Sequence, residues 1–174
     1  MVTGSHIAET CTTSGLLGTP YSKLDCQALV EKVLALAGMK IINYRGSNHM
    51  WRELVFDREK TDDAVILPGM LAFIVKQDGG EKKRGYHDGM GNATHVAIAL
   101  GSGKVFESTT GGVQVGSIKR FTHVARIKDV DYDEHDDGDD WSPATSPSVK
   151  IDMIKSLLVQ IMTELEALRD EFDN

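Results

Sequence analysis

Apolar residues fall into three kinds of run along this chain, and each kind predicts a different element. Leu29, Val30, Val33, Leu34 and Leu36 recur at helical spacing behind Asp25, which stands where an N-cap belongs, so a helix is predicted to begin at Cys26. A shorter helix is predicted before it, over residues 5–16. From Met70 onward the runs become short and rich in strand formers. Leu71–Val75, Thr94–Leu100, Lys104–Ser108, Val113–Val115 and His123–Ile127 read as strands, and Gly101-Ser-Gly103 turns the second into the third as a hairpin. The third kind of run lies at the C-terminus. Ile151, Ile154, Leu158, Ile161, Leu165, Leu168 and Phe172 alternate three- and four-residue steps, the a/d seam of a coiled coil, with Ser146 and Pro147 as N-cap and first-turn residues. A helix of roughly 33 Å at 1.5 Å per residue has little stability alone in water. It needs a partner, and the regular seam favours a homo-oligomer through residues 149–172 over a helix folded back on the domain.

Polar segments divide these runs into regions. Residues 42–52 read as an irregular stretch leading into a helix-like turn, and residues 76–93 as a loop rich in glycine and charge, long for a hairpin. After Ile127 the composition shifts to an acidic tract, Asp129–Asp140, followed by a Pro/Ser segment to Pro147. An EF-hand alignment of that tract puts Ala144 at the bidentate position, so it is a solvated linker. The organisation is therefore a domain over residues 1–128, a linker over 129–147 and a helix over 148–174. Its class is α+β: the Cys26 helix packed on a small antiparallel sheet, plus the C-terminal coiled-coil helix.

Composition narrows the function. The chain has 174 residues and a formal net charge of −7, with no basic stripe interleaved with aromatics, which argues against nucleic acid. No apolar run approaches the roughly 20 residues of a membrane span, and residues 1–6 lack a basic segment followed by a hydrophobic stretch. The expectation is synthesis in the cytoplasm without a visible signal peptide. The two cysteines and six histidines show no metal-ligand spacing, so neither metal nor cofactor is expected.

Cys26 is the residue that carries chemistry. A free thiol has a pKa near 8.5, and a helix N-terminus or a nearby imidazolium favours its thiolate. The hairpin sets His95, at the start of one strand, beside the far end of the next, where Glu107 is its natural neighbour. Cys, His and an acceptor that orients the ring form the constellation of a cysteine peptidase by role. The alternative for a cysteine among apolar residues is a packed core thiol, and Cys11 is assigned that part.

These residues resemble the NlpC-type cell-wall endopeptidases, compact papain-like cysteine peptidases. Gly18-Thr-Pro-Tyr21 followed by Leu24-Asp-Cys26 is similar to the family's approach to its nucleophile, Leu67-Pro-Gly-Met-Leu-Ala-Phe73 to its Pro-Gly-Asp-Leu segment, and His95-Val-Ala-Ile through Glu107-Ser108 to its catalytic strands. Three departures stand out: Gln27-Ala28 in place of Ser-Gly after the cysteine, Glu107 where His, Asn or Gln is common, and Met70 in place of the acid. The resemblance implies Cys26, His95 and Glu107 as catalytic residues, Asp25 as a binder of the substrate's free amino end, and Tyr21 near the oxyanion site. It further implies peptidoglycan stem peptides as substrate, cut between D-γ-glutamate and the diamino acid. A phage or prophage product acting at the cell wall after lysis, or carried on a particle, is the expected setting. A catalytically idle scaffold assembling through its coiled coil, and a thiol acyltransferase or amidase on the same fold, are the competing readings.

Overall fold

The computed structural model describes residues 1–77, 86 and 88–132. The described residues all belong to one compact unit. The coiled-coil tail, the linker beyond Tyr132 and half of the glycine-rich loop lie outside the described residues. In chain order the elements are β1 (Val2–Thr3), α1 (Gly4–Thr13), α2 (Cys26–Leu36), α3 (Ser47–Glu53), β2 (Val55–Lys60), β3 (Leu71–Lys76), β4 (Asn92–Gly101), β5 (Lys104–Thr109), β6 (Gly112–Ser117), a 3-10 turn (Ile118–Arg120), β7 (His123–Ile127) and β8 (Val130–Asp131). Six strands make an antiparallel sheet in the order β2-β7-β3-β4-β5-β6, while β1 and β8 pair in parallel as a separate two-stranded ladder.

The sheet's middle strands are buried on both faces, which is why β3 and β4 read as unbroken apolar runs. Leu71, Ala72 and Phe73 of β3 and Val96 to Ala99 of β4 are fully enclosed. Helices α1 and α2 pack on β4. A separate buried cluster joins Ala72, Ala97, Ala99 and Val124 of the sheet to Phe121 and Tyr132. Helix α2 begins at Cys26 because Asp25 ends the preceding segment in extended geometry and its Oδ1 accepts the Ala28 N–H at 2.8 Å. Such a cap contributes about 1 kcal/mol. Leu29, Val30, Val33 and Leu34 then form the buried stripe, and Leu36 falls off it, half exposed.

Two elements differ from the sequence expectation. Strand β2 was not expected, because Phe56-Asp-Arg-Glu-Lys60 is almost wholly polar; as an edge strand paired only with β7 it needs no buried face. The irregular stretch contains a real helix, α3, entered from Gly46 at a φ of 102°. Residues 129–132, assigned from sequence to the linker, belong to this compact unit. Val130 and Asp131 pair with β1, and the Tyr132 hydroxyl accepts the Ile127 N–H at 3.0 Å and donates to the Gly69 carbonyl at 3.3 Å. Burial pushes the Tyr132 phenol up to about 12.

The turn into β3 explains one departure from the family pattern. Gly69 lies at a φ of 80°, and a Cβ there would stand 2.3 Å from the Gly4 carbonyl oxygen, so only glycine lets α1 approach the turn. Met70, buried, accepts the Leu67 N–H through its sulfur at 3.2 Å, closing the turn with a soft acceptor in place of a carboxylate.

Candidate active site

Cys26, His95 and Glu107 are positioned by α2, β4 and β5. The β4–β5 ladder pairs Ala99 with Val105 and Ile98 with Phe106, and no pair is formed beyond these toward the start of β4. Past that point the strand's N–H groups are left for another partner. The Val96 backbone N–H reaches the Cys26 sulfur closely enough to lower its pKa, which sets the first residue of α2 against the strand position next to His95. Ser108 on β5 reinforces the join by donating its hydroxyl to the Leu24 carbonyl. His95 itself follows a bulge, since Ile74 faces His95 while Val75 faces Ala93, leaving Thr94 as the extra residue. Bulges re-aim side chains next to functional sites.

His95 and Glu107 lie on one face of the sheet, and Nε2 of the ring is 2.9 Å from Oε2 of the carboxylate. Glu107 is 2 % exposed. The ring also stacks on Phe121, with centroids 5.7 Å apart at 30°. With Nε2 committed to Glu107, Nδ1 is the nitrogen left to take a proton. Glu107 fits because Gly116, diagonal to it on β6, has no side chain: a Cβ there would stand 2.2 Å from Oε1.

Electrostatics at the thiol depart from the sequence expectation. Burial is the largest influence and raises the Cys26 pKa above its ordinary value, with the Asp25 carboxylate adding to the rise; the Val96 and Gln27 backbone N–H groups and the Tyr21 hydroxyl oppose it without reversing it. The helix N-terminus does not make a resting thiolate. At neutral pH the group is a thiol, so attack requires a base to remove its proton. The Tyr21 phenol is raised above its ordinary value, by Cys26 where that thiol ionises, by burial and by Asp25, and its hydroxyl is a donor to the sulfur.

A cleft of about 830 Å³ opens beside Cys26, with Asp25, Gln27, Arg45, Asn48, His49 and Asn92 among its lining residues. A smaller depression of about 440 Å³ is lined by Pro20, Tyr21 and Gly111. Of the predicted substrate residues, Asp25 lines the larger cleft and Tyr21 the smaller depression. Gln27, the second departure from the family pattern, anchors the cleft wall by donating to the Tyr44 carbonyl and to Glu31 Oε1. Asn48 and Arg52, residues without an assigned part in the sequence, clamp the segment that leads into β4. Asn48 donates to Asn92 Oδ1 at 2.7 Å and accepts the Ala93 N–H at 3.1 Å. Arg52 makes a bidentate pair with Asp88, both contacts 2.8 Å, and stacks 4.0 Å over Tyr86.

Sequence reasoning missed Arg120. Its guanidinium donates to Glu107 Oε2, the oxygen His95 faces, and lies 3.3 Å from His95 Nε2. A lone arginine in the 3-10 turn between two strands carries no local signal of such a contact. Among the described residues no group of three His, Cys, Asp or Glu side chains could hold a metal ion, and no helix is long and apolar enough to cross a membrane.

No family model matches this chain, and no curated protein does. Solved structures do resemble it. The NlpC/p60 domain of the peptidoglycan hydrolase SagA is 24% identical, over 72% of this chain and 99% of that one, with a TM-score of 0.49. An NlpC/p60 family protein from Bacillus cereus is 21% identical over 68% of this chain and 39% of its own, also at 0.49. RipD from Mycobacterium tuberculosis, a non-catalytic NlpC/p60 domain protein adapted to peptidoglycan binding, is 19% identical over 69% and 96%, at 0.45. The likeness is one of fold.

Proposed function

We propose that the protein is a cysteine endopeptidase of the NlpC/p60 type that hydrolyses peptide stems of bacterial peptidoglycan. The observation that carries the proposal is the buried His95–Glu107 contact of 2.9 Å, on the strand whose next N–H acts on the Cys26 sulfur. In the first step the thiol proton passes to His95 Nδ1 as sulfur adds to the scissile carbonyl. Glu107 holds Nε2–H and stabilises the imidazolium. The Cys26 backbone N–H, with the Tyr21 hydroxyl beside it, faces the developing oxyanion. As the tetrahedral adduct collapses, the C–N bond breaks, His95 returns its proton to the leaving amine, and a thioester remains. Water then adds to the thioester with His95 as base, and the carboxylate leaves as the thiol re-forms.

The bond assigned is the one between D-γ-glutamate and the diamino acid, with Asp25 receiving the free amino end of the stem. The setting is the cell wall, reached by a phage or prophage product after lysis or on a particle. Self-association through residues 149–172 accompanies this reading, supported by the a/d spacing of that segment. Mass spectrometry of purified peptidoglycan fragments incubated with the protein tests the proposal. The expected result is two products separated at the γ-glutamyl bond, absent with Cys26→Ala. No products would leave the idle-scaffold reading, and transfer to an added amine without hydrolysis would indicate an acyltransferase.

A further inference from the structure

The acceptor that orients His95 is a carboxylate with a cation fixed on it. Glu107 is nearly inaccessible, so an uncompensated charge there would be strongly unfavourable. Arg120 supplies the compensation from the 3-10 turn, its guanidinium held over the Phe121 ring at 5.2 Å while it donates to Glu107 Oε2. His95 Nε2 approaches the same oxygen, and stands 3.3 Å from the Arg120 nitrogen. The imidazole therefore faces an anion and a cation together. The other groups around the reacting pair are the Cys26 thiol on α2, with Asp25 and Tyr21 beside it, and the uncharged Phe121 ring.

We propose that Arg120 is a positioning residue that neutralises Glu107, so that the Glu107–Arg120 pair presents His95 with a net-neutral acceptor. The inference rests on the reading of Cys26 and His95 as the reacting pair. A bare carboxylate at this place would stabilise the imidazolium and favour a resting thiolate–imidazolium pair; the cation opposes that charge at the same nitrogen. The thiol then keeps its proton until substrate is attacked. Arg120 is 48 % exposed, so its effect is partly screened by solvent and weakens as salt is raised.

The sign of two substitutions separates this role from simple scaffolding. Alkylation of Cys26 by iodoacetamide reads thiolate formation without needing any peptide substrate. At pH 6.5 the Arg120→Gln variant should label about threefold faster than the parent, because Glu107 is left uncompensated, and Glu107→Gln should label slower by a similar factor, because the cation is left alone. The double variant should return to within about twofold of the parent, and Arg120→Lys, which keeps the charge, should stay close to it. A purely structural Arg120 would slow labelling in the same direction as Glu107→Gln; that outcome, or an unchanged rate, overturns the inference. Failure of peptide cleavage leaves this test intact. Labelling of Cys26 no faster than Cys11 in every variant would instead sink the reacting pair and the inference with it.

Discussion

The chain's two cysteines sit in neighbouring helices that pack on the same strand, yet they occupy opposite chemical situations. Cys11 lies in the interior of α1, with no exposure, and burial drives its thiol far above the range in which it could ionise in water. Cys26 is the first residue of α2, partly open, with donors from Val96, Gln27 and Tyr21 around its sulfur. Residue type and an apolar helix are common to both. The difference is made by the helix end and by the place where β4 and β5 separate, which brings the Val96 N–H, next in the strand to His95, to one thiol and not the other. A reactive site here is a property of position before it is one of composition.

Substitutions at the two thiols give the largest contrast. Cys26→Ala should abolish peptide turnover and leave the melting temperature nearly unchanged, whereas Cys11→Ser should keep turnover and lose about 1–3 kcal/mol of stability, since it leaves a hydroxyl in a dry pocket. Paired turnover assays and melting curves check both. Gly116→Ala probes the Cys26 side alone. Its Cβ would displace the Glu107 carboxylate, and a misplaced orienting group is expected to lower kcat roughly tenfold to a hundredfold with little change in KM. The smallest effect is expected at the cleft wall. Arg52→Ala removes the Asp88 pair and the hold on the Gly91 carbonyl, so KM should rise severalfold with kcat nearly kept, and residues 86–93 should become more open to proteolysis.

How much of this was legible in the sequence follows the reach of the signal. The start of α2 was readable because Asp25, Cys26 and the apolar stripe are local, and the five predicted strands were readable because β3, β4 and their neighbours are built from short apolar runs. The meeting of His95 with Glu107 needed only a hairpin and a face. Strand β2 and helix α3 were not readable, the one because an edge strand needs no apolar alternation, the other because it is seven residues long and held through its Asn48 and Arg52 by Ala93 and Gly91 from across the chain. Arg120 was out of reach for the same reason. Its partner is thirteen residues away, and the contact exists only once β6 has returned along β5. The balance at the thiol was not readable: the helix end that favours the thiolate was visible in the sequence, but the burial that opposes it was not.

Site-resolved alkylation of both cysteines in the folded protein, followed by peptide mass spectrometry from pH 6 to 9, tests the central claim most directly. Burial raises the Cys26 thiol, so its labelling should quicken as pH rises through the alkaline side of that range. At neutral pH it should still exceed Cys11 by at least about tenfold, and His95→Ala should remove most of that advantage. Equal labelling of the two thiols, or a Cys26 rate indifferent to His95, would contradict the account.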